Sequence, residues 1–299
     1  MATRARRGWK LVWADEFEGH EVDRSKWAFD IGNGFYDYKN HAWVEGWGNE
    51  ELQYYTHEPE NVSVKDSLLT IRALKEPLHG CGYTSARLKT RMRDGTPLFT
   101  KLYGRVEFRA KVPWGKGLWP ALWMLPQDDR YGGWAASGEI DLMEIVGEKP
   151  HEVLSSIHFG SVHPKRSLIT TVHKLPGGST VSDWHTYAVE WEPGEIRFYV
   201  DDVQTRTHDH WWSCSKTRHG LGRQAKRAED LNAWPAPFDQ PFYLVMNVAV
   251  GGNFPGAPNE QTRFPAELVV DYVRVYDKVG GYGKPKPIGK GKFPWHKKS

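Results

Sequence analysis

The chain has 299 residues, enough for one large all-β domain or two small ones. Its formal charge is +3, but seven lysines and no acid fall between Lys278 and Ser299, and subtracting them leaves a body of net charge −4. A basic tail on an acidic body argues against a nucleic-acid groove, and no stretch approaches the roughly 18 uninterrupted apolar residues of a membrane helix.

Met1 to Lys10 is basic and lacks the apolar core of a signal peptide, so the protein is either cytosolic or has lost an export signal. Leu11 to Phe17 reads as an opening strand and turn. Gly46 to Thr56 is dense in polar and aromatic groups, either a packed loop or a source of directional hydrogen bonds. Asn61 to Leu74 reads as a hairpin, with Val62 and Val64 alternating before Lys65-Asp66-Ser67 and Leu69 and Ile71 after it. From Tyr103 to Val112, Val106, Phe108, Ala110 and Val112 alternate with Arg105, Glu107, Arg109 and Lys111, which predicts one buried and one wet face. Tyr187 to Val200 is a second hairpin turning at Glu192-Pro193-Gly194. Phe242 to Val250 and Leu268 to Tyr276 are further strands. Thr205 to Gln240 is too long for a simple turn and is expected to border a cleft. The Gly/Pro/Lys-rich tail is expected to be disordered. Many short strands with Gly/Pro punctuation give an all-β fold, an antiparallel β-sandwich or jelly roll. The expected domains are a basic extension over 1–8, the catalytic jelly roll over 9–277 and the tail over 278–299. Cys81 and Cys214 have neither metal-ligand nor redox spacing, and both a disulfide and two thiols stay open. The 15 tryptophans are the compositional outlier. Flat aromatic faces pack cores, and they also cover the apolar faces of sugar rings.

The chemistry concentrates in Ser137-Gly138-Glu139-Ile140-Asp141-Leu142-Met143-Glu144-Ile145-Val146-Gly147, a short apolar run between glycines that carries three acids. Acids seldom occupy a buried strand without a partner or a task. Side chains alternate on a strand, so Glu139 and Asp141 share a face and Glu144 points away. One extra residue near Leu142-Met143, a β-bulge, returns Glu144 to the face of the other two. Three converging acids push their pKa values apart, which supplies the ionised and the protonated carboxyl that glycoside hydrolysis requires.

Trp119-Pro120-Ala121-Leu122-Trp123-Met124, then Trp134, then Gly138 to Glu144, resembles glycoside hydrolase family sixteen. The spacing Glu-x-Asp-x-x-Glu is similar to its bulged branch, whereas other members have the shorter Glu-x-Asp-x-Glu. Gly46 to Thr56, Tyr83 to Leu88 and Met246 to Gly256 resemble the laminarinases, the endo-β-1,3-glucanases. The resemblance runs from about Trp9 to Tyr276 and implies a jelly roll with a concave substrate cleft. It implies Glu139 as nucleophile, Glu144 as acid and base, Asp141 tuning both, and His158 hydrogen-bonding within the cluster. It also implies substrate contacts at Asn49, Arg87, Trp119, Trp123, Trp134 and Asn247. Phe254 departs from the pattern, since laminarinases often carry Trp there.

Strand period places Asp271 on one face with Val269, Val273 and Val275, and a buried carboxylate there needs a counter-charge. Ca²⁺ held by Asp271 and backbone carbonyls would serve, as would capping of nearby amides. The resemblance places a structural calcium here with the carbonyls of Glu16 and Ser67. No cofactor is expected for catalysis. The expectation is a secreted or periplasmic monomer acting on β-glucan, with no nucleic-acid partner. The rivals are an agarase- or carrageenase-like hydrolase on the same scaffold and a non-catalytic glucan-binding jelly roll.

Overall fold

The structure is a computed structural model that describes residues 6–37, 40–215 and 225–293. Two antiparallel sheets face each other. The front sheet has seven strands in the order Arg166–Lys174, Glu152–Gly160, Glu139–Glu144, Leu118–Pro126, Phe242–Val250, Arg87–Lys89, Ala28–Asp30. The back sheet runs Val203–His208, Glu195–Val200, His185–Glu192, Gly104–Lys111, Ala266–Lys278, Leu68–Ala73, Val62–Lys65, and Trp9–Asp15 also pairs with Ala266–Lys278. Sheet neighbours that are distant in sequence, such as Leu118–Pro126 beside Phe242–Val250, require the chain to cross repeatedly between the layers, as in a jelly roll. Both predicted hairpins form.

The core lies between the sheets, where Leu69, Ile71, Phe108, Val189 and Phe198 of the back meet Leu122, Ile140, Ile157, Leu244 and Met246 of the front. Phe242–Val250 is buried at all nine residues, because the two-stranded layer around Gln53–Tyr55 covers its outer face. Gln53 Oε1 accepts the Val250 amide at 2.8 Å, and the Leu52 amide donates to the Val250 carbonyl at 2.8 Å. No helix among the described residues is long and apolar enough to cross a membrane.

Some expectations need correction. The face of Gly104–Lys111 that carries Arg105 and Glu107 is not wet, since these residues are 1% and 2% exposed. Arg105 donates to Glu107, Glu190 and Asp202, and Arg6 closes over Glu107 and Asp202. Asp271 does not share a face with Val273 and Val275. Arg109 pairs with Tyr272 and Ala110 with Val270, so Asp271 is the bulged residue and the alternation restarts after it. Its half-buried carboxylate is paired with Arg109, and the Glu16 carboxylate takes both prongs of Arg274 at 2.8 Å. Arg109 thus supplies a counter-charge to Asp271.

The Thr205–Gln240 segment begins as an edge strand and then packs inward. Trp211 is fully buried and donates its indole N–H to the Pro235 carbonyl at 2.8 Å, while residues 216–224 lie outside the described residues. The tail is laid against the body as far as it is described: Lys286 bonds Glu195 at 2.8 Å and its carbonyl accepts the Trp234 indole at 2.7 Å. Phe293 meets His210 edge-on, and residues 294–299, like 1–5, lie outside the described residues. No disulfide joins Cys81 to Cys214.

Candidate active site

The predicted bulge is present. Trp123 pairs with Asp141 but Leu122 with Met143, and on the other side Asp141 faces Ser156 while Glu144 faces Leu154. Three residues thus span the distance of two, and Glu144 returns to the face of Glu139 and Asp141. The Ser155 hydroxyl donates to the Leu142 carbonyl at 2.8 Å, which satisfies an acceptor that the bulge withdraws from the ladder. Gly138 starts the strand at φ +90°, where a side chain would be strained and would press on Phe238.

Each outer carboxylate is held by a tryptophan. The Trp134 indole donates to Glu139 Oε2 at 2.7 Å and the Trp119 indole to Glu144 Oε1 at 3.0 Å. His158, opposite Glu139 on the next strand, places Nε2 3.4 Å from Glu139 and 3.2 Å from Asp141. The Ser156 hydroxyl donates to Glu144 Oε2 at 3.4 Å. Glu139, Asp141 and His158 each bring one ligand atom within 4.8 Å of the others, the one such group among the described residues. Neutral N–H donors aimed at two of the acids hold them in position, an arrangement suited to proton transfer and nucleophilic attack.

Burial raises all three carboxyls. Glu139 is pushed up to about 8 by burial first and then by the charge of Asp141. Asp141 is held well above the carboxylate range by burial and then by Glu144, and Glu144 is raised by burial. The cluster therefore keeps protons at neutral pH that isolated acids would have shed. Asp141→Asn removes the like charge beside Glu139, so the Glu139 pKa falls. The acid limb of kcat/KM, measured as a pH profile, is expected to move down by roughly one pH unit.

A second group lies three strands away. Arg87 lies beside two tryptophans, its guanidinium 4.8 Å from the ring centroids of Trp47 and of Trp123, and it is ion-paired with Asp30 at 3.0 Å. Trp123 donates its indole to Asn247 at 2.8 Å, and Asn247 donates to the Tyr55 hydroxyl at 3.0 Å. Glu51 gathers Asn49 at 3.1 Å, Gln53 at 2.7 Å and Tyr55 at 3.4 Å, and burial raises its carboxyl. The predicted residues thus fall into an acid group with Trp119, Trp134 and His158 and a polar group with Asn49, Arg87, Trp123 and Asn247. Pairing of Leu118–Pro126 with the acid strand joins the two. Phe254 meets Trp119 edge-on at 5.3 Å and remains exposed. Sequence reasoning missed Asp30, Trp47, Glu51, Gln53 and Tyr55. The last four stand in the stretch singled out for its polar and aromatic density, but their pairing depends on strands that only the fold brings near.

A model of the family described as glycosyl hydrolases family 16 matches residues 49–216. The chain is 42% identical over 281 residues to glucan endo-1,3-beta-glucosidase A1 of Niallia circulans, covering 90% of this chain and 38% of that protein. It is 43% identical over 279 residues to the beta-glucanase of Rhodothermus marinus, covering 90% of this chain and 85% of the relative. The solved structure of the laminarinase from Rhodothermus marinus superposes with a TM-score of 0.72 at 40% identity, covering 90% of this chain and 97% of that one. With the bulged three-acid strand in place on a jelly roll, these matches show that the chain belongs to glycosyl hydrolase family 16.

Proposed function

We propose that this chain hydrolyses β-1,3-glucosidic bonds within laminarin-like β-glucans, with retention of configuration through a covalent glycosyl-enzyme, and that it does so outside the cytoplasm. The observation that carries the reading is the bulge: it sets Glu139 and Glu144 on one face, each gripped by an indole N–H. Retention requires two carboxyls roughly 5–5.5 Å apart, one ionised and one protonated. Glu144 gives its proton to the leaving glycosidic oxygen while the Glu139 carboxylate attacks the anomeric carbon. In the second half, the Glu144 carboxylate takes a proton from water, the resulting hydroxide attacks the same carbon, and Glu139 leaves as a carboxylate. The charge of Asp141 favours keeping a proton within the cluster, while Trp134 steadies the Glu139 anion.

The substrate assignment leans on the Arg87, Asn247 and Glu51 group, which offers donors and acceptors to hydroxyls beside flat tryptophan faces, and on the glucanase relatives. Purified protein incubated in parallel with laminarin, mixed-linkage β-glucan, agarose and carrageenan is expected to release oligosaccharides from laminarin and little from the galactans. Cleavage of galactans in preference would retain the acid chemistry and overturn the substrate. Silence on all four would overturn the enzyme.

A further inference from the structure

Away from the acids, an open cavity of about 300 Å³ lies where one edge of each sheet meets the tail. Arg166–Lys174 and Val203–His208, the outermost strands of the front and back sheets, form two of its walls, and Lys290 to Lys292 form the third. The tail is fixed there through its backbone. The Gly289 amide donates to the Asp209 carbonyl at 2.7 Å, and His210 Nδ1 donates to the Gly289 carbonyl at 3.1 Å. Any side chain on Gly291 would collide with the His210 ring. Charge in the walls is one-sided, with Arg206, Lys290 and Lys292 set against the single acid Asp209. Arg206 and Lys290 make no ion pair and no side-chain hydrogen bond among the described residues. His208 and His210 also line the cavity and are 4% and 8% exposed, and the Nε2 atom of each is buried without a hydrogen-bond partner.

A carbonyl only accepts, so His210 Nδ1 carries the proton and Nε2 of the neutral ring is a bare lone pair. A buried polar atom without a partner is destabilising, and two of them in the wall of one cavity point to a ligand. The setting selects its charge. A metal ion would bring positive charge against Arg206 and two lysines, whereas an anion is drawn in by them. Guanidinium, ammonium and imidazolium N–H groups are the donors that grip oxyanions. We propose that this cavity is a binding site for a tetrahedral oxyanion, phosphate or sulfate, taken up as the free ion or as an ester on a polysaccharide. Its oxygens accept from Arg206 and Lys290, and the two imidazoles take up protons so that Nε2–H donates to it. Burial first, and then the charge of Arg206, hold the His208 ring down at about 4, with Asp209 opposing them. An anion beside the ring raises it again, so binding brings protons in and tightens as pH falls. Glu139, Asp141 and Glu144 take no part in these walls, and the site does not depend on the proposed function.

The test is calorimetric titration of the full chain with inorganic phosphate and with sulfate, against chloride at equal ionic strength. Expected is one saturable site per chain, weakened about tenfold by Arg206→Ala, with laminarin turnover by that variant unchanged. The Arg206 side chain stands on an exposed edge, and matched melting temperatures show that the variant folds. Sulfate keeps its charge between about pH 6 and 8, so its several-fold weaker binding at the higher value reports the imidazole protons. A second arm titrates dextran sulfate beside neutral dextran: a response to the sulfated polymer alone identifies the ester as the source, and a response to the inorganic ions alone identifies the free ion. No saturable binding in either arm overturns the site. So does binding that neither Arg206→Ala nor Lys290→Ala weakens, or sulfate binding equally tight at both pH values. Because heat is read rather than turnover, each of these outcomes leaves the proposed function standing.

Discussion

Glu139→Gln is expected to reduce hydrolysis of laminarin to background while making the folded protein more stable, and the gain should grow with pH. The amide cannot attack the anomeric carbon, yet it keeps an acceptor for the Trp134 indole. The stability change follows from proton linkage. The Glu139 carboxyl is raised from an ordinary 4.5 to about 8 in the folded chain. Between those values the native protein holds a proton that the unfolded chain has released, so native stability falls as pH rises through this window. The amide side chain of the variant does not titrate and carries no such penalty. Near pH 4.5 the two proteins should unfold at similar denaturant concentrations, and near pH 8 the variant should be favoured by on the order of 2–4 kcal/mol. Urea unfolding at both pH values, beside reducing-sugar release, measures the two effects separately. Undiminished turnover would remove Glu139 from the chemistry, and a stability gain independent of pH would remove burial of its charge as the cause.

Arg105→Ala is expected to be the most damaging single change away from the cleft. The guanidinium is 1% exposed and reaches Glu107 at 2.8 Å, Asp202 at 3.0 Å and Glu190 at 3.1 Å, with the Tyr199 ring 5.0 Å from its carbon centre. Its removal leaves Glu107, itself 2% exposed, with the half-exposed Arg6 and the Tyr272 hydroxyl as partners. Breaking a buried pair by deleting one member costs about 3–5 kcal/mol, because the remaining charge stays out of water. The urea midpoint should drop accordingly, with turnover per folded molecule unchanged. Arg105→Met, which fills the volume but strands the same carboxylate, should recover little.

The acid strand was legible because alternation is a local rule: two acids two apart share a face, the third needs an odd residue, and nothing distant enters the argument. The same rule failed at Asp271, where the odd residue is the acid itself and no pattern in Leu268 to Tyr276 marks it. It also failed on Arg105 and Glu107. Their alternation with valine and phenylalanine is genuine, but the layer that covers them comes from Glu190 and Asp202, 85 and 97 residues away. Glu51 was overlooked for a related reason, since an acid in a polar stretch looks solvated until Gln53, Tyr55 and Asn49 are seen turned toward it. The basic tail read as a solvated extension from composition alone. Its lysines answer glutamates on the Glu192-Pro193-Gly194-Glu195 turn, which composition cannot place.

The bulge at Leu142-Met143 has a wider meaning for how such a strand can change by insertion. Parity, rather than residue count, decides where an acid points. With Glu-x-Asp-x-Glu, plain alternation already delivers all three carboxyls to one side, and with Glu-x-Asp-x-x-Glu the surplus residue is absorbed as a kink whose carbonyl Ser155 satisfies. The two spellings are therefore interchangeable at the level of the catalytic face. The inserted residue is free to serve the back of the strand instead, where Leu142 and Met143 both enter the core. A lineage could move between the spellings in a single step without passing through a form whose acids face apart.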